Sequence, residues 1–345
     1  MPTELYYPAS EEVAVRMDRS EVGQPAFPRF ALGASKALFG RLVLFGAFFC
    51  AACLGPPAGP VERSHRLELP SGTGAYARAV PPVVLDGTQP VTVVLGAAWL
   101  ELDLDLPGPA LFVDLPGRGE ADPVEVGEVS LEADLGNLDA LRARLGLERL
   151  SILGWGYYGG LAARYAARYP GRVERLILVA PLPPRRDPHW GDFIARAQLS
   201  TDPAALERLE AQRASGAKAR DPLAFCRASI RLFLEARTVD PVAAASRMRS
   251  EPCVEPHLDP DVGAALGAAI VGGLEDWDWR SQLALVEAPT LVVHGRQDPY
   301  PLAGSEEYAA AIPSARLEVL ATCGHLPWLE QPEAFGALVA GFLGN

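Results

Sequence analysis

The chain has 345 residues, 49% hydrophobic and 21% charged, the mix of a globular protein that buries a sizeable core in one large α/β domain or two smaller ones. A net charge of −12 argues against nucleic acid as a partner, because phosphate binding needs a basic face. Lys36 and Lys218 are the only lysines, and no internal repeat stands out.

Residues 1–35 are polar and mixed, with Pro2, Pro8, Pro25 and Pro28 and no sustained period, and read as a disordered leader. Residues 36–55 read as an apolar targeting segment. Lys36 and Arg41 precede an uncharged run from Leu42 to Leu54, which Pro56 and Pro57 stop. The run is shorter than the ~20 residues a membrane span needs, and its basic start, apolar centre and small terminal residues match a secretory signal. The sequence CAAC resembles a bacterial lipoprotein processing site in which Cys53 becomes the lipidated residue, although Cys50 stands where Leu is usual. The expectation is an exported protein, periplasmic or anchored to the membrane through this segment. A buried N-terminal helix and an uncleaved anchor are the alternatives, and Met17 is a candidate for the true start.

From residue 61 onward, short apolar runs punctuated by Gly and Pro alternate with helical stretches. Residues 91–96 (VTVVLG), 110–117 (ALFVDLPG), 150–155 (LSILGW), 175–181 (RLILVAP), 289–295 (PTLVVHG) and 316–322 (RLEVLAT) are predicted strands. Their β-branched, nearly continuous apolar character suits a parallel sheet covered on both faces. HRLELP and AYARAVPPVVL add an antiparallel edge, and 131–146, 159–169, 304–312 and 331–343 are predicted helices. The order is that of a doubly wound, mostly parallel α/β sheet. Residues 183–283 contain helical segments and no convincing strand, and read as a helical lid between the two parts of the core, 65–182 and 284–345.

The second part of the core carries a family signature. APTLVVHGRQDPYPL is similar to the strand and acid loop of the α/β-hydrolase fold, and LATCGHLPWLEQPEAFGALVAGFL to its last strand, histidine loop and closing helix. DLPGRGEAD (114–122) is similar to its D-x-x-G-x-G turn. The Gly-His-x-Pro-Trp ending leans toward the proline-iminopeptidase-like branch. The resemblance, from about residue 65 to the end, implies Asp298 as the acid and His325 as the base of a catalytic triad, in the chain order this fold uses. The chemistry asks for the same grouping: a hydroxyl nucleophile needs a base in hydrogen-bond reach, and the base needs a carboxylate to fix its tautomer.

The nucleophile is the departure. The family's elbow reads G-x-Ser-x-G on a strained strand-to-helix turn. Here LSILGWGYYGGLAARYAARYP spans Leu150–Pro170, and counting fourteen residues back from Pro170 puts Gly156 in the nucleophile position. Gly154 then fills the first small position and Tyr158 the second. A rival register takes Tyr158 as the nucleophile, a phenol that would need strong activation. Glycine adopts the elbow conformation with almost no penalty, whereas a residue with a Cβ costs ~1–3 kcal/mol there. The oxyanion donors implied by the family are the N–H of Tyr157 and one near Gly96 or Ala97, but His-Gly is absent after the third strand. The short connection to Asp114 leaves ELDLDL as an exposed strand or irregular loop in place of the usual helix.

Cys226 and Cys253 form either a disulfide or two buried thiols, and Cys323 reads as loop packing rather than a second nucleophile. His65, His189 and His257 show no metal-ligand spacing, so neither metal nor cofactor is expected. Trp277, Trp279 and Trp328 are expected at the junction of lid and core. Three functions fit: a non-hydrolytic protein that binds a small-molecule or peptide-like ligand under the lid, an enzyme that uses His325 as a base on water or a C–H acid, or a structural envelope lipoprotein.

Overall fold

A computed structural model describes residues 60–61, 65–80, 83–84, 91–96, 103–249, 251–254 and 259–344. The leader, the apolar segment with Cys53, Ala97 and His257 lie outside them. β1 (Pro60–Val61) and β4 (Val83–Val84) form a small antiparallel ladder of their own. The main sheet begins with β2 (His65–Glu68) and β3 (Gly74–Val80), which pair antiparallel. β5 (Thr92–Leu95) and β6 (Ala110–Asp114) follow, then α1 (Leu131–Arg144), β7 (Leu150–Trp155), α2 (Tyr157–Arg168) and β8 (Val173–Val179). Between β6 and the end of β5 the described residues 103–109 form no helix. Leu104 there is buried and Asp105 exposed, so this stretch is an irregular loop pinned by one apolar side chain.

Among the described residues seven helices interrupt the alternation: α3 (His189–Ser200), α4 (Pro203–Ala214), α5 (Ala217–Arg220), α6 (Pro222–Arg237), α7 (Pro241–Arg247), α8 (Pro260–Gly273) and α9 (Arg280–Leu283). Four of them start the same way. Asp202, Asp221, Asp240 and Asp259 each accept a backbone N–H with the side chain, and each is followed by Pro at the first helical position. The carboxylate satisfies an orphan donor, and the proline lacks an N–H that would have had no partner. A disulfide joins Cys226 on α6 to Cys253, which decides between the two possibilities left open by the sequence.

The chain re-enters the sheet at β9 (Thr290–Gly295), crosses through α10 (Leu302–Ala311) to β10 (Ala315–Leu320), and closes with α11 (Pro327–Glu330) and α12 (Pro332–Leu343). Strand order is β10-β9-β8-β7-β5-β6-β3-β2, parallel from β10 to β6 and antiparallel at β3 and β2. Alternate residues of the central strands feed opposite cores. Ile152, Leu176, Leu178 and Val292 pack toward α1, α2 and α10, while Leu153, Ile177, Leu291 and Val293 pack toward α12. This two-sided burial is why these strands read as continuous apolar runs.

The chain leaves β5 for β6 on one side and returns in β7 on the other. The C-terminal ends of β5 and β7 therefore flank a topological switch point, the place where open α/β sheets present ligand sites.

Candidate functional site

Three loops meet at that edge. After β9 the chain turns at Arg296 and Gln297, whose N–H groups donate to the carbonyls of Leu320 and Cys323. This ties the turn to the loop that carries His325. Asp298 is 1% exposed, and both its oxygens are used: Oδ1 accepts the N–H of Tyr300 at 2.7 Å and Oδ2 pairs with His325 Nδ1 at 2.8 Å. With Nδ1 donating to the carboxylate, neutral His325 keeps its lone pair on Nε2. His325 is 5% exposed, and Nε2 makes no hydrogen bond among the described residues.

The histidine loop is fastened to the helical insertion. His325 N–H donates to the Arg237 carbonyl at 2.7 Å, just past which α6 ends. Glu330 gathers three further donors: Oε1 accepts Gly324 N–H at 2.9 Å and Leu326 N–H at 3.3 Å, and Oε2 accepts Val239 N–H at 2.8 Å. Burial pushes the Glu330 carboxyl above its ordinary value, against the pull of those donors. Burial also pushes the Cys323 thiol far up, so it stays protonated and packs in the loop. His294, at the end of β9, is pulled below its ordinary value by burial and lies between Ser305 Oγ at 2.8 Å and the Tyr300 carbonyl at 3.1 Å.

On the opposite side is the β7–α2 turn. Gly156, the N-cap of α2, has φ 56° and ψ −122°. A Cβ built on it would lie 3.6 Å from His325 Nε2, with nothing nearer. Gly154 is different, since a Cβ there would sit 2.2 Å from the carbonyl oxygen of Tyr158. The strand and the helix start are too close for any side chain at that point. Trp155, between the two glycines, donates its indole N–H to the His325 carbonyl at 2.9 Å and lies 5.0 Å from the imidazole, ring centre to ring centre.

Two sequence expectations need correction. Tyr158 is not placed as a nucleophile. Its ring turns to Gly96, where a Cβ would come within 2.6 Å of Tyr158 Cε2, and burial pushes the phenol well above its usual range. Gly96 is not an oxyanion donor either, because its N–H is spent on the Val113 carbonyl at 2.9 Å as part of the sheet. Tyr157 stands at the first helical position, where α2 has no acceptor for its N–H. Its phenol donates to Asp134 Oδ2 at 2.7 Å, and Asp134 holds Arg118 through two bonds of 2.8 Å. Burial raises the Asp134 carboxyl despite that cation. This Arg118–Asp134–Tyr157 group braces the start of α2 from below.

Sequence reasoning did not single out Glu330, Trp155, Asp134 or Arg118. Only Glu330 carried a signal, as an acid closely following a loop histidine in HLPWLEQP. Trp277 and Trp279 do pack where the insertion meets the core: Trp277 Nε1 donates to the Pro183 carbonyl at 3.0 Å, and Trp279 faces Gly160 of α2. Trp328 packs edge-on to Trp155 beneath the histidine. From His325 an aromatic file runs into the insertion, through Tyr300 (4.9 Å), Phe193 (4.6 Å further) and Trp190 (5.0 Å further). His189 is buried, with Nε2 3.2 Å from Glu307 Oε1 in a direction poor for a hydrogen bond. Among the described residues no group of three His, Cys, Asp or Glu could hold a metal ion.

The sequence profile of the α/β-hydrolase fold matches residues 111–332, well over half of the chain. The chain belongs to the α/β-hydrolase fold family. It is 33% identical over 196 residues to the pimeloyl-[acyl-carrier protein] methyl ester esterase of Aromatoleum aromaticum, covering 54% of this chain and 71% of that one. It is 28% identical over 244 residues to the 2-hydroxymuconate semialdehyde hydrolase of Pseudomonas putida, covering 67% and 75%. Among solved structures, the esterase of Exiguobacterium antarcticum shares the fold with a TM-score of 0.59 at 18% identity, over 81% of this chain and 99% of that one.

Proposed function

We propose that Gly156 occupies the position from which serine hydrolases of this fold attack, and that the chain binds a small ester-, acid- or peptide-like ligand beneath α3–α9 without forming an acyl-enzyme. The observation that carries this reading is the placement of Gly156. It has the positive φ of a strained elbow, and the imidazole of a complete Asp–His pair faces its missing side chain. A serine at 156 would put its hydroxyl within reach of Nε2, and glycine leaves the base without a proton to take.

The test is Gly156→Ser. The wild type is expected to resist a fluorophosphonate probe and to leave a panel of esters and aminoacyl amides intact, while Gly156→Ser is labelled and turns some of them over. Labelling of the wild type, or a folded but unreactive Gly156→Ser, overturns the reading. The panel includes prolyl amides because Gly324–Trp328 resembles the proline-iminopeptidase-like branch.

A second reading has one observation in its favour. Asp298 keeps both its hydrogen bonds, so the pair remains able to orient and charge a general base. On that reading the wild type turns over substrate by activating water or a C–H acid, insensitive to fluorophosphonate and lost in His325→Gln. Export, with attachment through residues 36–55 and Cys53, remains part of the proposal. The Cys226–Cys253 disulfide supports it, because such bonds persist in oxidising compartments.

A further inference from the structure

We infer that the gap between Gly156 and His325 is a carboxylate site, taking the head of a monocarboxylic acid with an apolar tail. One oxygen would rest on the first N–H groups of α2 and the other on Nε2 of a protonated His325. The inference depends on the reading above only in needing residue 156 to lack a side chain at this point.

Two independent features converge there. The first is the N-terminus of α2, a helix of 12 residues whose N-cap is glycine and gives no side-chain cap. The helix supplies no acceptor for the N–H groups of Tyr157 and Tyr158, and its dipole favours an anion. The second is His325 itself. Its side chain is 7% exposed, its Nδ1 is committed to Asp298, and its Nε2 is unpartnered and aimed at the space beside Gly156. A serine would fill that space and give Nε2 a hydroxyl donor, whereas here both the volume and the nitrogen stay available.

Chemistry then selects the ligand. Neutral His325 offers only a lone pair at Nε2, and a carboxylate offers only lone pairs, so the two cannot pair as they stand. One added proton resolves the conflict. It converts His325 to an imidazolium between two carboxylates, Asp298 on Nδ1 and the ligand on Nε2, each in a charge-assisted hydrogen bond. The complex therefore takes up one proton from solvent. A neutral ester or amide lacks the charge that draws the proton in. The tail is expected to run along the aromatic file of Tyr300, Phe193 and Trp190, which leads from the imidazole into α3.

The other titratable and charged groups around the imidazole can be named. From the β9 side they are Asp298, Tyr300 and His294, the last pulled below its ordinary value by burial. The loop itself brings Glu330 and Cys323, the latter held protonated by burial. The insertion brings Arg237, whose carbonyl accepts the His325 N–H, and Arg196, whose charge acts on His294. Among these groups only His325 presents a ring nitrogen to the gap.

The experiment is calorimetric titration of the full chain with sodium butyrate in two buffers of different ionisation enthalpy. The expected result is uptake of one proton per butyrate bound, with affinity falling about tenfold per pH unit on the alkaline limb. Butyramide, the neutral analogue, is expected to bind about tenfold more weakly or worse, as is butyrate to Gly156→Ser. His325→Gln, checked for fold by circular dichroism, should lose the proton uptake. Binding without proton uptake, equal binding of butyramide, or no binding by the wild type overturns the inference. Equal proton-linked binding of inorganic phosphate overturns the choice of carboxylate in favour of a general anion pocket. Failure here, together with a Gly156→Ser that fluorophosphonate labels, sinks the carboxylate site and leaves the nucleophile position of Gly156 standing. An unreactive but folded Gly156→Ser sinks that position instead.

Discussion

On one side of the site, Asp298 and His325 are held by hydrogen bonds, with Gln297 tying their two loops together and Glu330 and the Arg237 carbonyl tying the histidine loop to the insertion. On the other side, the turn from Trp155 to Gly160 is braced by the Trp155 and Tyr157 side chains but shaped by close packing: Gly154 lies under the Tyr158 carbonyl, and a Cβ on Gly159 would lie 2.9 Å from the Pro181 Cβ. The difference bears on what each side can tolerate. The Asp298–His325 side depends on the identity of its polar side chains, and loss of one leaves buried donors unmet. The elbow depends on the smallness of its neighbours, and its shape makes no use of a side chain at 156. A glycine there keeps the turn and presents no side chain to His325.

The largest effect that would break this comparison concerns two glycines two residues apart. Gly154→Ala forces a Cβ to 2.2 Å from a backbone oxygen that cannot move without shifting the strand or the helix. We expect a loss of about 3 kcal/mol or more, or failure to accumulate folded protein. Gly156→Ala meets nothing closer than 3.6 Å and pays only for its backbone conformation, about 1–3 kcal/mol. Urea denaturation of both variants decides the matter. Equal losses would mean that the elbow is not held by the Gly154 contact.

On the Asp298–His325 side the matching test is Glu330. Glu330→Ala strands the buried N–H groups of Gly324 and Leu326 and leaves that of the exposed Val239 to water, at a cost of about 2–3 kcal/mol. Glu330→Gln keeps one oxygen acceptor and should recover about half of that. If Glu330→Ala melts like the wild type, water replaces the carboxylate and the loop is fastened by the Arg237 carbonyl and by Gln297.

How much of this was legible in the sequence follows the same division. The strands were readable because burial on both faces makes them continuous apolar runs, and residues 150–155 match β7 residue for residue. The Asp298–His325 pair was readable because each follows a strand within a longer motif. The helix starts in the insertion were written in Asp-Pro pairs at 202, 221, 240 and 259, a cap and its following proline that composition alone passes over. The bracing group of Arg118, Asp134 and Tyr157 was not readable. Its members come from a turn and two different helices, and no local spacing encodes their meeting. The direction of Tyr158 was not readable either, because it depends on a glycine 62 positions earlier in a neighbouring strand.

That last pair gives the smallest and sharpest prediction. Tyr158 stands where a small residue was expected, and its ring fits because Gly96 has no Cβ. If the two residues accommodate each other, Gly96→Ala should be worse in the wild type than in a Tyr158→Ala background. Its positive φ of 84° penalises alanine equally in both, so that cost cancels in a double-mutant cycle and the contact remains. We expect a coupling of about 1 kcal/mol, read from denaturation midpoints of the four proteins. Additive losses would mean that the ring has room to move away, and that the large residue at 158 owes nothing to the glycine at the end of β5.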